Sequence, residues 1–308
     1  MKLFKLHNGI GALMAAFIMT ATPITTTAKE VRAYEGSVGS FANDALGDGH
    51  DRWQSAAYQR SFIFKSRDSG MFQEFEWRGR SQIVTPWASS KQPQDRPYSS
   101  VLGFGGFSRG EIVGLESHIG GEIIVQGDQT GLPDFQSAAH DFLGLDKSYD
   151  PSTASDMHVE DRVTFRGEFG LAKSFRPSRQ ILLRPYGSVA VGADQSATFG
   201  VDMIAGPLSE ANSWTRDAVT GQLLTHQNDA KQGFSLVAGM DVSRITTSMH
   251  IPDESSVSPE ETQTRTRLGA QFGIGAADVF FGQTWFSEGF VGQAETQRGG
   301  VLSVSLNF

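Results

Sequence analysis

From residue 29 onward the readable signal in this chain has period two. Leu302, Val304, Leu306 and Phe308 alternate with Ser303, Ser305 and Asn307, which in a strand puts an apolar row and a small polar row on opposite faces. In a soluble sandwich the apolar row would face a core; in an outer-membrane barrel it faces lipid and the polar row lines the interior. The same alternation runs through Leu268 to Ile274, with a turn at 276–278 leading into a return strand from Val279 to Phe286, and less cleanly through Phe234 to Gly239. Residues 181–192 and 198–204 flank a tight connection at 192–195, and residues 62–66 and 72–77 flank a turn at 67–70. These hairpins cover most of the chain and predict an all-β transmembrane antiparallel barrel.

A spanning strand of ~9 to 11 residues with its share of connections uses roughly 20 to 25 residues, so about 280 residues give about 12 strands. The long polar segments 89–97, 127–156, 208–231 and 250–264 are expected as extracellular loops. Within residues 132–147, Phe135, Ala139, Phe142 and Leu143 fall at helical spacing, with Pro133 and Asp134 placed to start a helix and Gly144 to end it. Gln136 and His140, four residues apart, would share one face of that helix.

The N-terminus adds an export signal. Lys2 and Lys5 precede an apolar stretch at 10–22, of signal-peptide length and too short to span a bilayer as a helix. Residues 1–28 are expected as a signal peptide and 29–308 as the barrel. A terminal Phe308 on an amphipathic strand resembles the closing strand of bacterial outer-membrane proteins. Cysteine is absent, which removes disulfides, zinc-thiolate sites and Cys nucleophiles together. A net charge of −8 and a pI near 5.4 argue against a nucleic-acid partner, which would need a basic face.

Candidate chemistry concentrates in residues 41–58, where Asn43, Asp44, Asp48, His50, Asp51, Arg52 and Ser55 crowd together. The spacing fits neither an EF-hand nor a zinc helix. Side chains of this kind also stabilise ordinary turns, and that reading stays open on the stretch alone.

The ordered set Asn43-Asp44, Asp51-Arg52-Trp53-Gln54-Ser55-Ala56, Asp95-Arg96-Pro97-Tyr98 and Gln136 with His140-Asp141-Phe142-Leu143-Gly144 resembles the outer-membrane lipid A deacylases. The resemblance covers nearly the whole mature chain. It implies a 12-stranded barrel that removes the 3′ acyloxyacyl chain of lipid A in the outer membrane with the help of Ca²⁺, acting as a monomer on lipopolysaccharide. Carried over residue by residue, it implies Asn43 and Asp44 at the metal and active centre, Ser55 as the hydroxyl and His140 as the catalytic histidine. Gln136 and Asp146 would be polar and acidic neighbours, Asp146 also a metal ligand, while Lys91 and Arg96 would contact substrate. The chain differs from the family pattern at Trp53, Gln54 and Ala57, has Ser55 for the family's Thr, and offers Ser155 and His158 where the family often has Gly-Trp-x-x-Gln. His158 is expected as an exposed loop residue.

These residue types suit ester hydrolysis, which needs a base for water and positive charge or donors at the oxyanion. Histidine supplies the base. A Ser55 nucleophile is the competing mechanism, although no Gly-x-Ser-x-Gly elbow is present. A barrel that keeps this fold without catalysis, as a structural, binding or small-pore protein, is the alternative from a different functional class.

Overall fold

The computed structural model describes residues 32–66, 71–87, 92, 94–144, 158–211, 213–225, 233–274 and 277–307. Residues 1–28, the expected signal peptide, and Phe308, Lys91, Asp146 and Ser155 lie outside the described residues.

The strands are β1 (Arg32–Asn43), β2 (Trp53–Ser66), β3 (Phe72–Thr85), β4 (Ser99–Ile112), β5 (Leu115–Gln126), β6 (Arg162–Ala172), β7 (Phe175–Ser178), β8 (Ile181–Gly192), β9 (Gln195–Ala205), β10 (Trp214–Arg216), β11 (Leu223–Thr225), β12 (Gly233–Thr247), β13 (Thr262–Ile274), β14 (Ala277–Phe286) and β15 (Gln297–Asn307). One helix, α1 (Leu132–Leu143), lies between β5 and β6. Thirteen strands join one sheet in the order β6-β5-β4-β3-β2-β1-β15-β14-β13-β12-β9-β8-β7. The short β7 is an appendage on β8; β6 pairs with β8 directly, so the other twelve close into an antiparallel barrel without an edge. The expected strand count is met.

Alternation sets the two faces. Along β15, Leu302 and Val304 are exposed while Ser303 and Ser305 are buried, in phase with the sequence pattern. Phe104, Ile123, Phe165, Phe199, Leu268 and Phe281 are exposed on neighbouring strands, giving an apolar outer wall. The inner wall is charged and paired. Arg80 reaches Glu122 at 2.9 Å, Arg78 reaches Glu76 at 2.8 Å and Arg267 reaches Asp202 at 3.1 Å. Charges removed from bulk water persist only with such partners.

Asn43 ends β1 at what is here termed the upper rim; Arg32 and Asn307 lie at the lower rim. Strand direction then fixes every connection. Residues 44–52, 86–98, 127–161, 193–194, 248–261 and 287–296 are on the upper rim, in agreement with three of the four expected long loops. Residues 206–232 join β9 to β12 at the lower rim, so the expected extracellular loop at 208–231 is corrected. Length and polarity suggested the wrong side because the described residues 213–225 of this segment are a filling for the interior.

β10 and β11 pair as a small hairpin inside the barrel, with Trp214, Leu223 and Leu224 buried among wall residues that include Val38, Ala57 and Phe280. Ser40 Oγ donates to Asp217 Oδ2 at 2.5 Å, Gln59 Nε2 to the Arg216 carbonyl at 3.2 Å, and Gln271 Nε2 to Thr225 Oγ1 at 2.6 Å. Thr284 Oγ1 donates to the Thr220 carbonyl at 3.2 Å. The hairpin is therefore bonded to strands on several sides of the lumen, and its tip reaches the inner side of the wall that carries Asn43.

Candidate active site on the outer wall of the upper rim

The hairpin of β1 and β2 builds half of the site. Asn43 lies two residues beyond the exposed Phe41 and so shares its outward face, opposite Ala56. Its Nδ2 donates to the Ser55 carbonyl at 2.8 Å, and its Oδ1 accepts from Ala45 N at 2.8 Å. Asp44 N donates to the same Ser55 carbonyl at 3.2 Å, and the Asp44 carbonyl accepts from Gly47 N and Gly49 N at 2.7 and 3.0 Å. The register of β2 against β3 shifts between Gln54 and Ala56, leaving Ser55 as the extra residue of a bulge. A bulge re-aims side chains at the end of a ladder, and Ser55 Oγ is buried with no hydrogen-bond partner among the described residues.

Two features hold this loop. Trp53 adopts φ 56°, a left-handed conformation uncommon for a bulky residue, and is fixed by burial among Ile251, Val257 and Phe290. Arg52 lies over the rings of Trp53 and Trp87 at 4.5 and 4.3 Å and donates to Glu295 at 3.0 Å. The loop is thus ordered from both ends.

Asp44 is 4% exposed, and its Oδ2 accepts from Arg52 N at 3.1 Å. Burial, followed by the neighbouring charge of Asp51, pushes its carboxyl up to about 8. Backbone donors oppose the shift without cancelling it.

The other half is α1. Pro133 sits in its first turn, and Gly144 closes it at φ 65° with its N–H returned to helix carbonyls, as the sequence predicts. Leu132 packs against Ile83 and Tyr98 over Ala56 and Leu102, residues of the outer wall. Gln136 is buried beside it: its Oε1 accepts from Tyr98 at 2.9 Å and its Nε2 donates to Thr85 Oγ1 at 3.2 Å. One turn on, His140 Nδ1 stands 3.9 Å from Asp51 Oδ2. That separation suits an ion pair once the imidazole is protonated and is too long for a hydrogen bond. Phe135 and Phe142 are exposed on the helix.

The sequence-derived residues divide accordingly. Asn43, Asp44 and Ser55 are directly linked, and His140 joins them through Asp51, the neighbour of Asp44. Gln136 holds the helix to the wall. Arg96 is elsewhere: it lines the lumen. Asp51 was visible in the Asp-Arg pair but its position opposite His140 was not, because nothing in the spacing reveals a contact across 89 residues. Thr85 was missed for the same reason. His158 is corrected from exposed to buried: its ring packs on Tyr98 at 4.7 Å between centroids and its Nδ1 lies 2.5 Å from Asp128.

No protein-family model and no curated protein sequence matches the chain. Among solved structures, LpxR from Salmonella typhimurium matches with a TM-score of 0.72 and 18% identity, over 89% of this chain and 100% of that one. The β-domain of the Bordetella autotransporter Brka matches with a TM-score of 0.45 and 9% identity, over 90% of this chain and 100% of that chain. The chain shares its fold with LpxR and is an outer-membrane β-barrel.

Proposed function

We propose that this barrel is a lipid A deacylase that hydrolyses the 3′-acyloxyacyl ester of lipid A with the aid of Ca²⁺. The observation that carries the reading is the approach of His140 Nδ1 to Asp51 Oδ2 at 3.9 Å, which brings a helix with exposed phenylalanines to the loop that follows the outward-facing Asn43. A site on that face meets lipid laterally, whereas a site in the lumen would meet solutes. The fold shared with LpxR, a lipid A deacylase, and the ordered motifs of the sequence support the same reading.

His140 acts as the base that takes a proton from water, and Asp51 steadies the imidazolium that forms. Water is the preferred nucleophile. The Ser55 hydroxyl has its hydrogen uncommitted and can donate to the ester or its oxyanion. Asp44 fits a hard cation: a buried carboxylate close to two further carboxylates, Asp48 and Asp51, is costly without one. Among the described residues no three carboxylate or imidazole side chains converge on one point. The ion would therefore rest on Asp44 with Asn43 and loop carbonyl oxygens, and outside the described residues on Asp146. Bound there, Ca²⁺ supplies Lewis-acid polarisation of the ester carbonyl. Lys91, outside the described residues, is a substrate contact in this proposal, while Gln136 positions the helix through Tyr98 and Thr85.

The test is mass spectrometry of lipid A from cells expressing the barrel, with Ca²⁺ and with chelator. Loss of one acyloxyacyl unit is expected with the wild type and Ca²⁺, and not with His140→Asn. Intact lipid A in the presence of a folded wild-type barrel and Ca²⁺ would sink the proposal.

A further inference from the structure

Beside the hairpin filling, a cavity of about 560 Å³ runs along the lumen from Lys65 and Glu111 near the lower rim to His250 and Gln293 near the upper one. Arg96 lines its upper end and is 5% exposed, yet among the described residues its guanidinium makes no hydrogen bond or ion pair, and its Nε is buried without a partner. Asp95, next to it in sequence, is occupied elsewhere: Oδ1 accepts from Arg96 N at 2.7 Å and Trp53 Nε1 at 3.3 Å, and Oδ2 from Trp87 N at 2.6 Å. Other lumenal arginines described above each have a carboxylate. The charge of the adjacent Asp95 offsets only part of the desolvation cost of burying Arg96, and the planar fork of an arginine is suited to oxyanions.

Two further donors face the same cavity. His250 is buried, with Nδ1 2.9 Å from Ser99 Oγ, and that hydroxyl already accepts from Gln126 Nε2 at 3.1 Å. The serine hydrogen can donate to Nδ1, the arrangement in which Nε2 carries the N–H of a neutral ring. Burial, with Arg96 and Arg80 nearby, keeps that ring neutral. Gln54 has its carbonyl oxygen taken by Gln82 Nε2 at 2.7 Å, and Gln82 in turn accepts from Arg80 at 3.2 Å. This relay commits the oxygen of Gln54, a residue that lines the cavity, so its amide nitrogen is the group it has to offer a ligand.

We propose that the upper end of the lumen is a binding site for a small soluble oxyanion of the phosphate class, gripped by Arg96 with His250 and Gln54 as supporting donors. It is separate from the outer-wall site, being on the opposite face of the barrel wall from Asn43. Its test reads binding and is indifferent to deacylation.

The purified, folded barrel in detergent is titrated calorimetrically with inorganic phosphate, in chelator and at ionic strength held constant with chloride. Saturable binding is expected, weakened at least tenfold in Arg96→Gln and severalfold in His250→Gln. Absence of saturable heat overturns the proposal, as does an unchanged affinity in Arg96→Gln or binding only of phosphate presented on lipid headgroups in vesicles. Heat-modifiable migration reports whether each variant folds. If Arg96→Gln does not, Arg96→Lys and His250→Gln decide, and unchanged affinity in both overturns the proposal.

Discussion

Asp44 sets the pH behaviour of the rim. Its carboxyl rises from 3.8 to about 8 on folding, so the folded chain holds a proton through a window in which the unfolded chain has lost it. Stability must then fall as pH rises between those values and level off above the upper one. In chelator, the urea midpoint of the barrel is expected to decline across that window, and Asp44→Asn to flatten the decline; an equally steep decline in the variant would contradict the assignment. Asp51 has a different role. Asp51→Asn should reduce deacylation by about 10-fold or more, the scale of a positioned acid–base partner, and move the pH–rate profile, while His140→Asn should remove activity altogether. At this scale the sequence was informative about residue types and silent about contacts. Asn43, Asp44, Ser55 and His140 could be singled out because they stand in an ordered set of motifs that resembles a known family, the first three also in the dense polar stretch 41–58. The link through Asp51 and the burial of His158 depend on loop packing, which leaves no period in the chain.

The helix is the element on which the site depends. Its start at Leu132 and stop at Gly144 were legible from Pro133, the apolar spacing and the glycine. Its orientation was not: Phe135 and Phe142 mark an apolar side that faces outward, while the polar Gln136 faces the wall. That inversion follows from the surroundings, since a helix above an outer wall has lipid on its far side. Leu132→Ala removes the apolar contact with Ile83 and Tyr98, and large-to-small changes at buried sites cost about 2 to 5 kcal/mol. The helix lies outside the strand ladder of the barrel, so deacylation should drop several-fold while the unfolding midpoint of the barrel moves little. Parallel kinetic and denaturation measurements separate the two effects. Phe142→Ser should weaken activity on lipid A in membranes more than on detergent-dispersed substrate.

At the scale of the molecule, alternation and length were enough to reach a closed barrel of the observed strand number. The sidedness of 206–232 was not, because a polar segment that fills a lumen and one that faces water have similar composition. The filling also bears on the pore alternative. With Trp214, Leu223 and Leu224 packed against the wall and the hairpin bonded across the interior, the intact barrel should conduct far less in planar bilayers than an unfilled barrel of the same strand number. Replacing residues 213–225 by a short glycine-serine linker should open it to ions, and open-channel currents in the wild type would refute the filling as a seal.

The same hairpin constrains the order of assembly. Ser40 on the first strand bonds Asp217, 177 residues later, while Thr225 and Thr220 are held by Gln271 and Thr284 on strands still later in the chain. A cylinder cannot be packed through its own finished wall. The seam between β1 and β15 should zip only after the hairpin has been enclosed, and such long-range pairing is slow. Shortening the hairpin should therefore speed the appearance of the folded, heat-modifiable species.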